Sequence, residues 1–348
     1  MKKLLLLATI ASSTAFAGSI TLDTRFDADS ASFNTANGNP AYSKYYMQTG
    51  RVDFKGKATD DLSYRLRLRF DKDQAAMQKR DNSNNTVDLA YVTHKMGDVA
   101  ITAGKFDIMT QGFEGATAGP DLYFKSAAYN TYMTGTATSL LPARYFSGAH
   151  VAYTFGDHSV TAMATDLPSD TLQGSALAQS RNVYGLVYKG ALMEKALNLI
   201  ASYHTYSSPY STGSSVDNQT NSFATVGAQY KMSNWSAQLD YNTFSTMNAT
   251  NGSKSDKLDS IVAGGSYDIN EMSAVKAKIE SSTAKNGNTD AKTTTTGYGV
   301  AVECKPIKDA DFRYHIAYTN QSVKPDGTDA ATEAHIIAGI RLQADFLK

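Results

Sequence analysis

The chain has 348 residues, 33 basic and 33 acidic side chains, a formal net charge of zero and a single cysteine, Cys304. That balance removes any global electrostatic case for nucleic-acid binding, and one cysteine cannot close a disulfide within the chain. Stability must come from packing or strand pairing.

The first residues carry Lys2 and Lys3, the apolar run Leu4 to Ile10 and the small-residue pattern Ala15-Phe16-Ala17. This is the layout of a secretory signal peptide, expected to be cleaved after Ala17, so 1–17 is set apart from a folded domain over 18–348. No later run approaches the ~18 to 20 consecutive apolar residues of a membrane-crossing helix.

Beyond residue 17 the dominant signal is strict alternation. In Leu62 to Asp71, Leu62, Tyr64, Leu66, Leu68 and Phe70 alternate with Ser63, Arg65, Arg67, Arg69 and Asp71, so one strand face is apolar and the other carries three arginines. The same period predicts rising strands at 18–27, 62–71, 98–108, 158–166, 196–206, 235–246, 273–283 and 311–321. Returning strands are predicted at 45–57, 86–95, 144–155, 181–189, 221–231, 258–268, 294–304 and 333–346. Gaps at one end are tight, as at Thr59-Asp60 and Met96-Gly97. Those at the other end are longer and polar, as in Ser207 to Thr220 and Lys285 to Thr293. Sixteen strands with tight and long connections in alternation predict an all-β fold, a closed antiparallel transmembrane β-barrel. Closure pairs every backbone group, which hydrocarbon demands.

Aromatic residues recur near one end of the returning strands: Phe54, Tyr91, Tyr153, Phe155, Tyr188, Tyr230, Tyr267 and Phe346. Read as outward, they form an interfacial girdle. The last strand places Ile336, Ala338, Ile340, Leu342, Ala344 and Phe346 on one face.

By the same parity Arg25, Arg51, Lys55, Lys57, Arg65, Arg67, Arg69, Arg313 and Arg341 point inward. Closing the barrel makes the last strands neighbours of the first and gathers these nine bases on one wall. Asp23, Asp27, Asp53, Asp71 and Asp345 stand among them. Inward residues ~6.5 to 7 Å apart have overlapping fields at a Debye length of ~8 Å. The longest gap, Met109 to Ala143, contains Phe113, Leu122, Tyr123, Phe124, Tyr129 and Tyr132, a composition suited to packing. Glu114 and Asp121 on it are the acids expected to oppose the basic wall. His94, His150, His204 and His315, also read as inward, lie on separate strands without metal-ligand spacing, and no metal, cofactor or catalytic cluster is indicated.

With the leader, the sixteen strands and the terminal aromatic together, the chain resembles the 16-stranded bacterial outer-membrane porins. Around Leu89-Ala90-Tyr91-Val92, Gly104-Lys105-Phe106-Asp107 and Gln111-Gly112-Phe113-Glu114-Gly115 it is most similar to the porin O/P group. The resemblance implies a Gram-negative outer-membrane location, lipid around the barrel and a homotrimer. It also implies a third outer loop folded into the lumen and passive diffusion of ions and small hydrophilic solutes, to which the inward basic wall adds an expected mild anion preference. Two alternatives predict otherwise: a surface barrel with a plugged lumen and adhesive loops, and a soluble secreted sandwich.

Overall fold

The computed structural model describes residues 17–34, 41–70, 87–108, 112–134, 145–166, 182–212, 215–247 and 255–346. The leader read at 1–17 lies outside them except for Ala17, where the first strand begins. Asp71 also lies outside.

Alternation builds sixteen strands, β1 (Ala17–Asn34), β2 (Tyr42–Lys57), β3 (Leu62–Phe70), β4 (Val87–Met96), β5 (Val99–Asp107), β6 (Tyr145–Phe155), β7 (His158–Asp166) and β8 (Asn182–Leu192), then β9 (Leu197–Thr212), β10 (Ser215–Lys231), β11 (Trp235–Met247), β12 (Asp256–Asn270), β13 (Ser273–Lys285), β14 (Lys292–Cys304), β15 (Asp311–Pro325) and β16 (Ala331–Asp345). Each pairs antiparallel with its sequence neighbours, and β1 pairs with β16, closing the barrel. No strand among them is left with an unpaired edge, the liability that an open sheet carries. The shortest strands have nine residues, which meets the ~9 to 11 that a tilted strand needs to span hydrocarbon.

The sixteen predicted strands are all present, with longer arms. β1 runs to Asn34, and β9 and β10 pair through Ser215↔Thr212. The stretch 207–220, expected as a polar loop, is therefore mostly a hairpin extension: Tyr210, Thr212, Val216 and Thr220 favour strands, and the partner strand supplies the ladder for the rest.

The outer surface is apolar. Phe26, Leu66, Ile101, Val151, Leu186, Leu239, Ile261, Ile279, Ile316 and Ile336 are all exposed, as expected of side chains whose natural contact is hydrocarbon. Tyr153, Phe155, Tyr267 and Phe346 of the expected girdle are exposed with them. Two assignments are corrected. The register places Tyr91 opposite Arg65, hence inward, and His94 opposite Leu62, hence outward. The cause is a bulge between Arg67 and Leu68, where Arg67 pairs with Leu89 and Leu68 with Val87. Asp88 is the extra residue, and a bulge reverses the side-chain parity of everything beyond it.

Inside, the barrel is divided. Phe106, Ile108, Phe146, Met163, Val183, Val187, Ile200, Tyr206, Phe223, Phe244 and Leu258, from β5 to β12, form one buried apolar cluster. The charged side chains are concentrated on β1 to β4 and β13 to β16.

Candidate functional site: a charged wall and the segment that meets it

Three short elements follow β5: helix α1 (Phe113–Ala116), a 3-10 turn (Gly119–Asp121) and helix α2 (Ala127–Thr134). Pro120 in the turn and Gly112 before α1 keep the pieces short. What holds them is contact with strands far away in sequence.

Asp240 of β11, fully buried, accepts the backbone N–H groups of Phe113 (2.9 Å) and Glu114 (2.8 Å) at the start of α1. These are unpaired donors at a helix start, and a carboxylate is their best acceptor. Space for it depends on Gly112 and Gly227, where an added Cβ would strike the Asp240 carboxylate. Glu280 of β13 accepts the Ala127 N–H at 2.7 Å, and Tyr123 donates to Glu303 of β14 at 2.7 Å. Ala128 of α2 and Phe113 pack on the apolar cluster. The side chain of Tyr132 lies outside the described residues.

The nine expected bases fall on five adjacent strands, β3-β2-β1-β16-β15. Arg25 lies opposite Arg341, which lies opposite Arg313, and Arg51 lies opposite Arg69. Like charges in register repel, and the sequence supplies a carboxylate to each. Arg25 pairs with Asp27 at 2.8 Å and donates to the Pro120 carbonyl. Its guanidinium sits 4.4 Å from the Tyr123 ring centroid, an added cation–π contact. Arg65 and Arg67 share Asp53 at 2.6 and 2.9 Å, Arg69 takes Asp88 at 2.8 Å, and Arg51 lies 3.9 Å from Asp23. Arg313 holds Asp311 and Glu303 at 2.6 and 3.1 Å. Lys55 is 3.9 Å from Asp53 and half-exposed, while Lys57 is exposed at the strand end.

Asp121 is bound to this wall. It takes Arg341 at 2.6 Å and both Arg313 and Lys276 at 3.4 Å. The placement of Glu114 is a correction: it does not oppose the nine bases. Its carboxylate is 2% exposed, ion-paired with Lys278 of β13 at 3.0 Å and hydrogen-bonded by the Ser126 hydroxyl and N–H. A carboxylate buried that deeply needs its lone pairs filled locally, and these partners fill them.

The charge excess is also smaller than the nine bases suggested, since Asp88, Asp121, Glu303 and Asp311 join the wall. Exposure is nevertheless unequal. Arg69 and Arg65 side chains are 25% and 23% exposed, against 0% for Asp88 and 11% for Asp53. On β3 the carboxylates lie behind and the guanidinium edges face solvent, whereas around Arg313 and Arg341 the acids Asp311 and Asp121 are the more exposed partners.

Sequence reading missed Lys276, Lys278, Glu280, Glu303 and Asp311 of this site, and with them Asp88, Asp240 and Lys125. Asp88 was hidden by the bulge, and Asp240 by being one inward acid among many. Lys125 lies in the segment before α2, and its strongest electrostatic neighbours are all cations: Arg25, Lys278, Arg69 and Lys44. Burial, and then those four charges, hold its pKa below the usual lysine range. A cavity of about 230 Å³ adjoins, lined by Asp121, Tyr123, Phe124, Gln238, Lys276 and Lys278 among others.

A closed sixteen-strand barrel with an apolar exterior and a charged interior wall is the architecture of an outer-membrane porin. The family model for phosphate-selective porin O and P matches residues 20–165, from β1 into β7. The fold is that of the 16-stranded outer-membrane porins, and the family signal covers the first part of the chain. OmpT of Vibrio cholerae in its trimer form superposes with a TM-score of 0.66 at 16% identity, covering 94% of this chain and 100% of that one. The anion-selective porin of Comamonas acidovorans gives 0.65 at 12% identity, covering 94% and 99%. The outer-membrane channel DcaP of Acinetobacter baumannii gives 0.60 at 14%, covering 94% and 98%. No curated protein sequence matches the chain.

Proposed function

We propose that the protein is a passive diffusion channel for ions and small hydrophilic solutes, with a preference for anions set where the 113–134 segment crosses the lumen. The segment leaves β5, yet it bonds to inward residues of β1, β11, β13, β14, β15 and β16. In a closed barrel, contacts with the wall opposite its origin support a path through the interior. The opening then lies between this segment and the arginines of β2 and β3.

The observation that carries anion preference is the β3 row Arg65, Arg67 and Arg69, whose side chains are more exposed than those of their partners Asp53 and Asp88. Lys125 on the segment adds positive charge near Arg25, Arg69, Lys44 and Lys278. An anion is attracted along this row, and a cation meets Asp53 and Asp88 only through the bases. The cleavable leader at 1–17 and a homotrimeric assembly belong to the same reading, supported by the trimer form of the OmpT structure. The reading is a conduit and not an enzyme, supported by the porin O and P signal over residues 20–165.

Planar-bilayer recording tests it. Stepwise conductance is expected, with a reversal potential in a salt gradient of the sign set by anion flow. A closed lumen with intact surface binding would favour the adhesive barrel, and a reversal potential of cation sign would overturn the preference.

A further inference from the structure

Four lysines stand on adjacent strands at the long-loop end of the barrel's outer face. Lys257 of β12 is directly opposite Lys285 of β13, and Lys285 is directly opposite Lys292 of β14. Lys324 of β15 is opposite Thr294, two residues along from Lys292. All four are exposed. They share parity with Ile261, Ile279, Tyr298 and Tyr318, which are exposed on the barrel's outside, so the lysines face away from the lumen.

Two physical facts make this row informative. Like charges directly opposite on paired strands destabilise a sheet, and here the arrangement occurs twice in succession. Its depth is also defined. On β12, β13 and β14 ten residues separate the lysine row from the row Tyr267, Val275 and Val302, which are themselves in register. At ~3.3 Å per residue that is about 33 Å along the strand, or roughly 25 Å of height at a tilt near 40°, the thickness of the apolar band of such barrels. Tyr267 and its partner Trp235 mark the other interface. The lysines therefore lie at the outer headgroup plane, directly above hydrocarbon-facing Ile261 and Ile279.

Nearby carboxylates are occupied. Asp290 pairs with Lys285 at 2.9 Å, and Asp259 accepts from the Tyr241 hydroxyl. Asp256 accepts the Gly287 N–H, and Asp326 the Lys292 N–H. Lys257, Lys292 and Lys324 make no ion pair among the described residues.

We propose that this row is a binding surface for the phosphate-bearing headgroup of an outer-leaflet lipid, with the acyl chains lying against Ile261, Ile279 and Tyr298. The lipid phosphates supply direct ion-pair partners to Lys257, Lys292 and Lys324, which have none among the described residues, and the tails cover the apolar surface below. This rests on the porin reading, which puts lipid against the barrel.

The test is native mass spectrometry of the detergent-released full-length barrel titrated with a diphosphorylated, acylated disaccharide lipid. The same lipid without its phosphates, and inorganic phosphate alone, are the comparison probes. Attraction of about 1 kcal/mol per basic residue near an anionic surface leads to an expected loss of affinity of roughly tenfold or more in the quadruple variant K257Q/K285Q/K292Q/K324Q. The corresponding quadruple arginine variant is expected to retain binding. Unchanged binding in the glutamine variant, or equal binding of the dephosphorylated lipid, would overturn the proposal. Full competition by millimolar inorganic phosphate would overturn the lipid as the ligand. Single-channel conductance of the glutamine variant, expected at the parent value, reports that the barrel has folded. A parent protein that bound the lipid and did not conduct would count against the channel reading alone.

Discussion

Replacing Lys125 with glutamine removes one positive charge from the segment that meets the arginine wall while keeping the length and polarity of the side chain. An ion in contact with the ammonium, at ~4 Å in a water-filled passage, feels about 1 kcal/mol, reduced to roughly 0.6 kcal/mol by screening at a Debye length of ~8 Å. An anion loses that attraction and a cation is relieved of an equal repulsion. The two changes compound to about 1.2 kcal/mol, so the anion-to-cation permeability ratio is expected to fall by roughly eightfold. The assay is the reversal potential of the reconstituted protein in a salt gradient, parent and K125Q side by side. Glutamate at the same position doubles the charge change and should reverse the sign of selectivity. A reversal potential unmoved by either substitution would refute the placement of Lys125 beside the ion path.

Selectivity should also depend on pH. Burial and the cations around Lys125 favour its neutral form, so its charge is lost as pH rises through a value below the usual lysine range. Anion preference measured at stepped pH is expected to decline before ordinary lysines titrate, and K125Q should flatten that decline. Asp240→Ala removes the acceptor of the Phe113 and Glu114 amides, about 1.5 to 3 kcal/mol for each charged hydrogen bond. The freed segment should show as larger conductance or added current noise, and an unchanged trace would mean that the remaining anchors suffice. Phe223→Ala opens the apolar cluster where Phe223 meets Phe244 at 4.8 Å and Tyr206 at 6.0 Å between centroids. The expected loss is about 3 to 5 kcal/mol, read as a lower unfolding temperature in detergent with reversal potential preserved.

Much of the architecture was legible because period-two alternation is local. Leu62 to Phe70 declares its two faces without reference to any other strand, and sixteen such stretches separated by alternating tight and long gaps leave few other folds. The arginines of β1 to β3 and of β15 and β16 could be brought together from sequence because closure makes the first and last strands neighbours.

What escaped the sequence was decided by register and by contacts across the barrel. One extra residue at Asp88 inverted parity in β4, moving Tyr91 inward and His94 outward and placing an acid behind Arg69. Inward Phe106, Phe146, Phe223 and Phe244 look like ordinary strand residues until closure sets them side by side as one cluster. Glu114 and Asp121 sit seven positions apart in the chain, yet one is buried against Lys278 and the other joins Arg313 and Arg341. Alternation tells which face a residue occupies. Partnership across a closed barrel depends on shear, bulges and where a connecting segment lands, and those are properties of the assembled whole.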